Sequence, residues 1–131
     1  MKDTIFDEFQ SSVPQLLIRH KSILDVMTKY QESNARVNRA LAKAVTNCGC
    51  LKIDAKKQRT PSDTSLRDLP EYMDSHIRGV LCESCRDVIE TELGANLFYI
   101  AAVCSLLDMD LYNVMLKEYK KIKTLGIYSM L

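Results

Sequence analysis

Residues 83–107 read ESCRDVIETELGANLFYIAAVCSLL. Val88, Ile89, Leu93, Leu97, Ile100, Ala101, Cys104 and Leu107 recur there at the spacings of an α-helix. The second half of the stretch is apolar nearly all round, so this helix belongs at the centre of a bundle. Its longest apolar run, 93–107, is broken by Asn96 and Ser105 and holds fifteen residues. That is short of the roughly 20 residues that cross a bilayer, and a buried core helix accounts for it better. Cys104, inside the run, reads as a small buried hydrophobe.

On the carboxyl side, Asp108-Met-Asp makes a short break and Asp110 is a good cap for a last helix over 111–124. Lys117, Lys120, Lys121 and Lys123 crowd the end of that helix, where cations complement its dipole. On the amino side, 14–47 contains neither Gly nor a second Pro, and Leu16, Leu17, Ile23, Leu24, Met27, Tyr30, Val37, Leu41, Ala44 and Val45 form a helical stripe. Pro14 suits its first turn, and residues 3–10 read as a separate short helix. Cys48-Gly-Cys50 ends the helical region, with Gly49 placed to turn left-handed. Residues 51–65, with Lys52, Lys56, Lys57 and Arg59 among Thr, Pro, Ser and Asp, read as an exposed basic loop. Ser65 is placed to cap a turn, and Pro70 to open a helix that Gly79 closes. The expected architecture is an all-α bundle of about four helices in a single domain, 1–131.

Composition sets limits. The 131 residues fit one domain. Eighteen basic and seventeen acidic residues nearly cancel, so no polyanion is called for as a partner. Four Gly and three Pro argue against a turn-rich β fold and against disorder. The first residues are acidic and lack an apolar signal core. These features predict a cytoplasmic protein with no membrane partner.

Four of the five cysteines form two close pairs, Cys48-Gly-Cys50 and Cys82-Glu-Ser-Cys85, with 31 residues between them. Zinc takes four soft ligands in a tetrahedron. A two-residue gap turns Cys82 and Cys85 toward one ion at a helix start, where the dipole favours thiolate. The tighter first pair can chelate if Gly49 turns the backbone. A structural zinc on Cys48, Cys50, Cys82 and Cys85 is therefore expected, with His76 as a substitute ligand if one sulfur points away. A redox pair, an iron–sulfur cluster and unliganded thiols are the competing readings. No βαβ pattern supports the first, and iron–sulfur ligands usually follow other spacings.

Residues 92–100, ELGANLFYI, are followed by an apolar helix, by LLDMDLYNVM over 106–115, and by the Lys-rich last helix. This series resembles the second half of the MazG-like family of all-α nucleoside triphosphate pyrophosphohydrolases. The segment ESNARVNRAL, 32–41, falls where that family has its first acidic helix. The resemblance covers roughly 16–47 and 86–125 and leaves the cysteines out. It implies cleavage of a nucleoside triphosphate to monophosphate and pyrophosphate. Mg²⁺ would be held by carboxylates in the patterns E-E-x-x-E and E-x-x-D on two facing helices. Here Glu32 and Glu92 match, but Ser33, Arg36 and Ala95 stand at the other three acidic positions. Lys121 matches a basic position of the last helix, and Glu118 stands where asparagine is usual. Glu83, Asp87 and Glu90 do not repair the motif: Glu90 lies about 160° around the helix from Glu92, so these read as surface charges.

A zinc-stabilised, non-catalytic scaffold with a regulatory or nucleotide-related role is therefore expected. Arg36 would pair with Glu32 and Glu92, aided by Asn96, in place of the metal. The alternative is a Mg²⁺-dependent pyrophosphohydrolase using Glu32, Glu92 and Lys121. A nucleic-acid module built on Lys52, Lys56, Lys57 and Arg59 is the weakest reading, because net charge is only +1 and the loop has no aromatic for base stacking. The resemblance further implies a homo-oligomer, dimer or tetramer, and the exposure of Tyr99, Val103 and Met115 bears on that.

Overall fold

The computed structural model describes residues 4–130, and so the ends of the 1–131 domain, including Asp3 of the expected 3–10 helix, lie outside the described residues. Four helices account for most of the fold: α1 Thr4–Leu16, α2 Ile23–Lys43, α3 Glu83–Leu106 and α4 Leu111–Leu125. α2 runs on into a π-helical turn, Ala44–Cys48. Two short strands, β1 Leu51–Ile53 and β2 Ile77–Gly79, pair antiparallel with Leu51 opposite Gly79. The fold is an all-α bundle of about four helices carrying one small sheet.

α3 packs on both α1 and α2, with α2 along one side and α1 along another. It is not the helix buried all round that its composition predicts: only Ala101, Ala102 and Cys104 are buried along it, and Val88, Leu93 and Leu97 are exposed. Ala101 and Ala102 are fully buried, and their small side chains let the neighbouring helices approach. Val13, Leu17, Val26, Cys104 and Leu111 complete the buried cluster, with Phe6, Phe98, Ile100 and Val103 packed on it. Burial pushes the Cys104 thiol up from its usual range, as a neutral core group requires. With 24 residues and an 18-residue window of mean hydropathy 1.2, α3 is long and apolar enough to span a bilayer by those two measures, and only 17% of that window is buried within the chain.

The amino-terminal half departs from expectation. Pro14 sits near the end of α1, not at the start of a long helix. Its missing N–H forfeits the bond back to residue 10, which weakens the helix there, and the chain leaves helical form at Leu17. α2 starts afresh at Ser22, whose Oγ accepts from the Leu24 N–H at 3.2 Å, with Asp25 in the first turn. The region after the cysteines also differs: the segment 51–65, expected as an exposed loop throughout, begins with β1, which pairs with β2 and in which Leu51 is buried. Ser65 does accept from the Asp68 N–H, but Pro70 is the second residue of a single 3₁₀ turn, Leu69–Tyr72, and opens no longer helix. Gly79 closes no helix; it ends β2.

Gln10 ties α1 to the α3–α4 connection. Its amide donates to the Met109 carbonyl and accepts from the Leu111 N–H, both at 2.7 Å. Phe6 meets the Tyr112 ring edge-on at 6.0 Å. α2 and α3 share a polar link inside their contact. Ser33, 2% exposed, donates to the Tyr30 carbonyl and accepts from Asn96 Nδ2 at 3.0 Å. Asn96→Ala is expected to lower stability by about 1–2 kcal/mol, since the buried Ser33 hydroxyl loses its cross-helix partner. Urea unfolding checks this, and an unchanged midpoint counts against the link.

Candidate metal centre

The cysteine site is built from the end of α2 and the start of α3. At the end of α2 the Gly49 N–H bonds to the Ala44 carbonyl, five residues back, at 3.0 Å. Gly49 then adopts φ 78°, which reverses the chain and returns Cys50 beside Cys48. The Cys50 thiol donates to the Ala44 carbonyl at 3.7 Å.

The small sheet supplies the other half. Pairing of β1 with β2 carries the chain back from the exposed segment so that Cys82 follows within three residues of Gly79. Gly79 has φ 86°, and a Cβ there would collide with the Cys50 carbonyl oxygen. Cys82 is the N-cap of α3, and its sulfur accepts from the Cys85 N–H at 3.4 Å.

The four sulfurs converge: all lie within 4.8 Å of one another, and Cys48 Sγ is 3.7 Å from Cys82 Sγ. All four are free thiols; Cys48 is exposed and the rest are half-buried. Together they could hold one metal ion. The expected substitute His76 is not among them; it sits with Lys56, Arg59, Tyr72 and Asp74 instead. The backbone N–H and the thiol of Cys85 both favour thiolate at Cys82 and lower its pKa to about 7. That hydrogen bond and desolvation push Cys85 up to about 12. The first negative charge in the cluster therefore rests on Cys82, at the positive end of α3.

The helices joined at this centre enclose a groove of about 440 Å³ lined by Glu32, Arg36, Arg39, Lys43, Val88 and Glu92. An adjoining cleft of about 260 Å³ is lined by Glu32, Ser33, Arg36, Glu92, Ala95 and Tyr99, among others. Glu32, Ser33, Arg36, Glu92 and Ala95, the five positions of the expected carboxylate motif, thus meet in one place. Arg36 Nε reaches Glu32 Oε1 at 3.2 Å, and Lys29 Nζ reaches Oε2 at 3.4 Å. The Arg36 hydrogen bond, with Lys29 behind it, holds the Glu32 carboxyl below its usual range.

The expected bridge to Glu92 is not made. Arg36 pairs within its own helix at i, i+4, and the pair is exposed at 59% and 43%. Asn96 goes to Ser33 and Asn34 instead. A long side chain reaches a neighbour one turn away at smaller entropic loss than a partner across the groove. Among the described residues, Glu92, Arg39 and Lys43 form no ion pair. Lys121 does not reach this groove; it pairs with Glu118 on α4 at 3.4 Å.

Sequence reasoning passed over Arg39 and Lys43, which follow Arg36 at i+3 and i+7 and so share its face. The basic loop is partly neutralised: Lys56 pairs with Asp54, and Arg78 with Asp74 and Asp54. No protein family, curated protein or solved structure matches the chain.

Proposed function

We propose that the protein is a zinc-stabilised helical scaffold on the MazG-like plan, which takes a phosphorylated ligand in the α2–α3 groove and does not hydrolyse it. A tetrahedral zinc with sulfurs at about 2.3 Å needs them about 3.8 Å apart. The Cys48–Cys82 separation of 3.7 Å and the 4.8 Å limit on the whole set support that ion. Four thiolates leave it no open position, so the zinc is structural. Thiolate ligands suit a reducing compartment such as the cytoplasm.

The observation that carries the non-catalytic reading is the state of Glu32. Both of its oxygens are engaged by cations, which leaves Glu92 as the one uncommitted carboxylate in the groove. Mg²⁺ would meet Arg36, Arg39 and Lys43 at close quarters, whereas a phosphate would be attracted by all three. Gathering of Glu32, Ser33, Arg36, Glu92 and Ala95 at one cleft supports the family resemblance. The same gathering favours a second reading, a pyrophosphohydrolase in which phosphate binding frees Glu32 to share Mg²⁺ with Glu92.

A panel of nucleoside triphosphates with Mg²⁺ or Mn²⁺, assayed for pyrophosphate, separates the two. The expected result is no turnover, with nucleotide binding that is independent of Mg²⁺ and weakened about tenfold by Arg39→Glu. Turnover lost on Glu92→Gln would install the enzyme reading. Absence of any nucleotide binding would remove the ligand and leave the zinc scaffold.

A further inference from the structure

The small sheet sets Lys52 directly opposite Arg78, and like charges so placed weaken a strand pair. Arg78 turns to Asp74 and Asp54. Lys52 forms no ion pair among the described residues. Both cations are exposed.

Beyond the strands the chain builds a notch of about 460 Å³. Gln58 clasps it: its amide donates to the Asp74 carbonyl at 2.9 Å, and its Oε1 accepts from the Asp74 N–H at 3.2 Å. His76 lines the notch with φ 62°, a conformation uncommon outside glycine. Its N–H donates to Asp74 Oδ1 at 3.0 Å, and its carbonyl accepts from the Asp54 N–H at 2.8 Å, which holds it there. Lys56, Lys57, Arg59 and Tyr72 complete the lining.

The charge of the notch is positive. Asp74 is the one acid in its lining, and Arg78 donates to both of its oxygens. Lys56 pairs with Asp54, whereas Lys57 and Arg59 form no ion pair among the described residues. Asp63, Asp68 and Glu71, the remaining acids of 51–79, do not line the notch. The overall charge of +1 therefore conceals a local excess of cations.

An aromatic ring joins them from further along the chain. Residues 51–65 contain none, but the turn Leu69–Tyr72 brings Tyr72 to the notch, 45% exposed. A ring beside uncommitted cations matches the two faces of an unpaired nucleotide: the base stacks on the ring and the phosphates meet the cations. An acidic peptide would use the cations and leave Tyr72 without a role. A duplex keeps its bases stacked on one another and offers none to the ring.

We infer that the notch binds a single-stranded nucleic acid, with a base stacked on Tyr72 and backbone phosphates on Lys57 and Arg59. Lys52 and Arg78 extend the cationic track along the sheet. This site is separate from the α2–α3 groove and does not rest on the reading of that groove.

Fluorescence anisotropy of a labelled single-stranded oligodeoxynucleotide of about twelve residues, titrated with the metal-loaded full chain, tests this. Binding is expected at about 50 mM salt and should weaken as salt rises. Tyr72→Ala should weaken it about tenfold, and Tyr72→Phe should keep it. Lys57→Gln with Arg59→Gln should flatten the slope of log affinity against log salt by about 1.4, the share of two phosphate contacts. All three positions are exposed, so folding should tolerate the changes. No binding at about 50 mM salt overturns the inference. So does binding indifferent to Tyr72→Ala, or an acidic peptide of equal charge bound as tightly as the oligonucleotide. Binding lost in Arg39→Glu but kept in Tyr72→Ala would put the strand in the α2–α3 groove and overturn it equally.

Discussion

Chelating the metal is expected to lower the melting midpoint by on the order of 10 °C or more. The four thiols join the end of α2 to the start of α3, and an ion there closes the 31-residue connection between Cys50 and Cys82. Structural zinc binds with roughly 10–16 kcal/mol at neutral pH, and that free energy is available to folding. The native state of a domain is worth only about 5–15 kcal/mol altogether. Loss of about 3 kcal/mol already moves the midpoint by about 10 °C in a domain of this size.

Cys82→Ser should reproduce the effect of the chelator. Serine is itself a good N-cap, so the variant removes a ligand while the cap of α3 survives. The pH dependence follows from the thiols. Without metal, Cys82 loses its proton near pH 7 while Cys85 keeps its own to about 12. Binding at pH 7 must therefore expel protons, and affinity must fall as pH drops through the Cys82 range. Metal content, thermal melts followed by circular dichroism, and proton release in weak buffer check this together. Equal melts with and without chelator, or binding without proton release, would rule the site out as a thiolate clamp.

Gly79→Ala should be far more damaging than Gly49→Ala, although both glycines have positive φ. At Gly49 a new Cβ meets nothing within 4 Å, so the loss is that of a left-handed backbone, about 1–2 kcal/mol. At Gly79 the Cβ runs into the carbonyl of Cys50, a backbone atom that cannot turn aside. The strands must separate beside a residue that supplies a sulfur. A loss of about 3–5 kcal/mol is expected from the backbone strain and overpacking together, accompanied by weaker metal binding. Comparable midpoints for the two variants in denaturant, or full metal occupancy in Gly79→Ala, would show that the strand contact does not position Cys50.

Gly79 also marks where the sequence misleads. A glycine after a helical stretch is the usual sign of a helix end, whereas here it ends a strand. The better signal was the alternation in Leu51-Lys-Ile and Ile77-Arg-Gly, but three residues are too few to separate a strand from a loop before the pairing is known. Pro14 was ambiguous for a related reason. Proline suits a helix start and also weakens a helix end, and the choice depends on whether Phe6 and Val13 find a core to pack against. The site carboxylates divide in the same way. That Glu32 and Glu92 would line one groove was legible from helical spacing and resemblance. The Arg36–Glu32 pair was legible as well; that Arg36 would leave Glu92 unpaired was not, since that choice is made by the geometry of the groove.

α3, α4, their caps and the buried Cys104 could be named from the chain alone, because helical periodicity and capping are local and each residue sees its partners three or four positions away. The convergence of the four cysteines was an expectation from spacing, and it became a cluster only through the left-handed turn at Gly49 and the close strand contact at Gly79. The bare faces of α3 and α4 were decided by tertiary structure outright. α3 is apolar nearly all round in its second half and α4 is amphipathic, and the placement of α1 and α2 determines which sides of them are covered and which stay open.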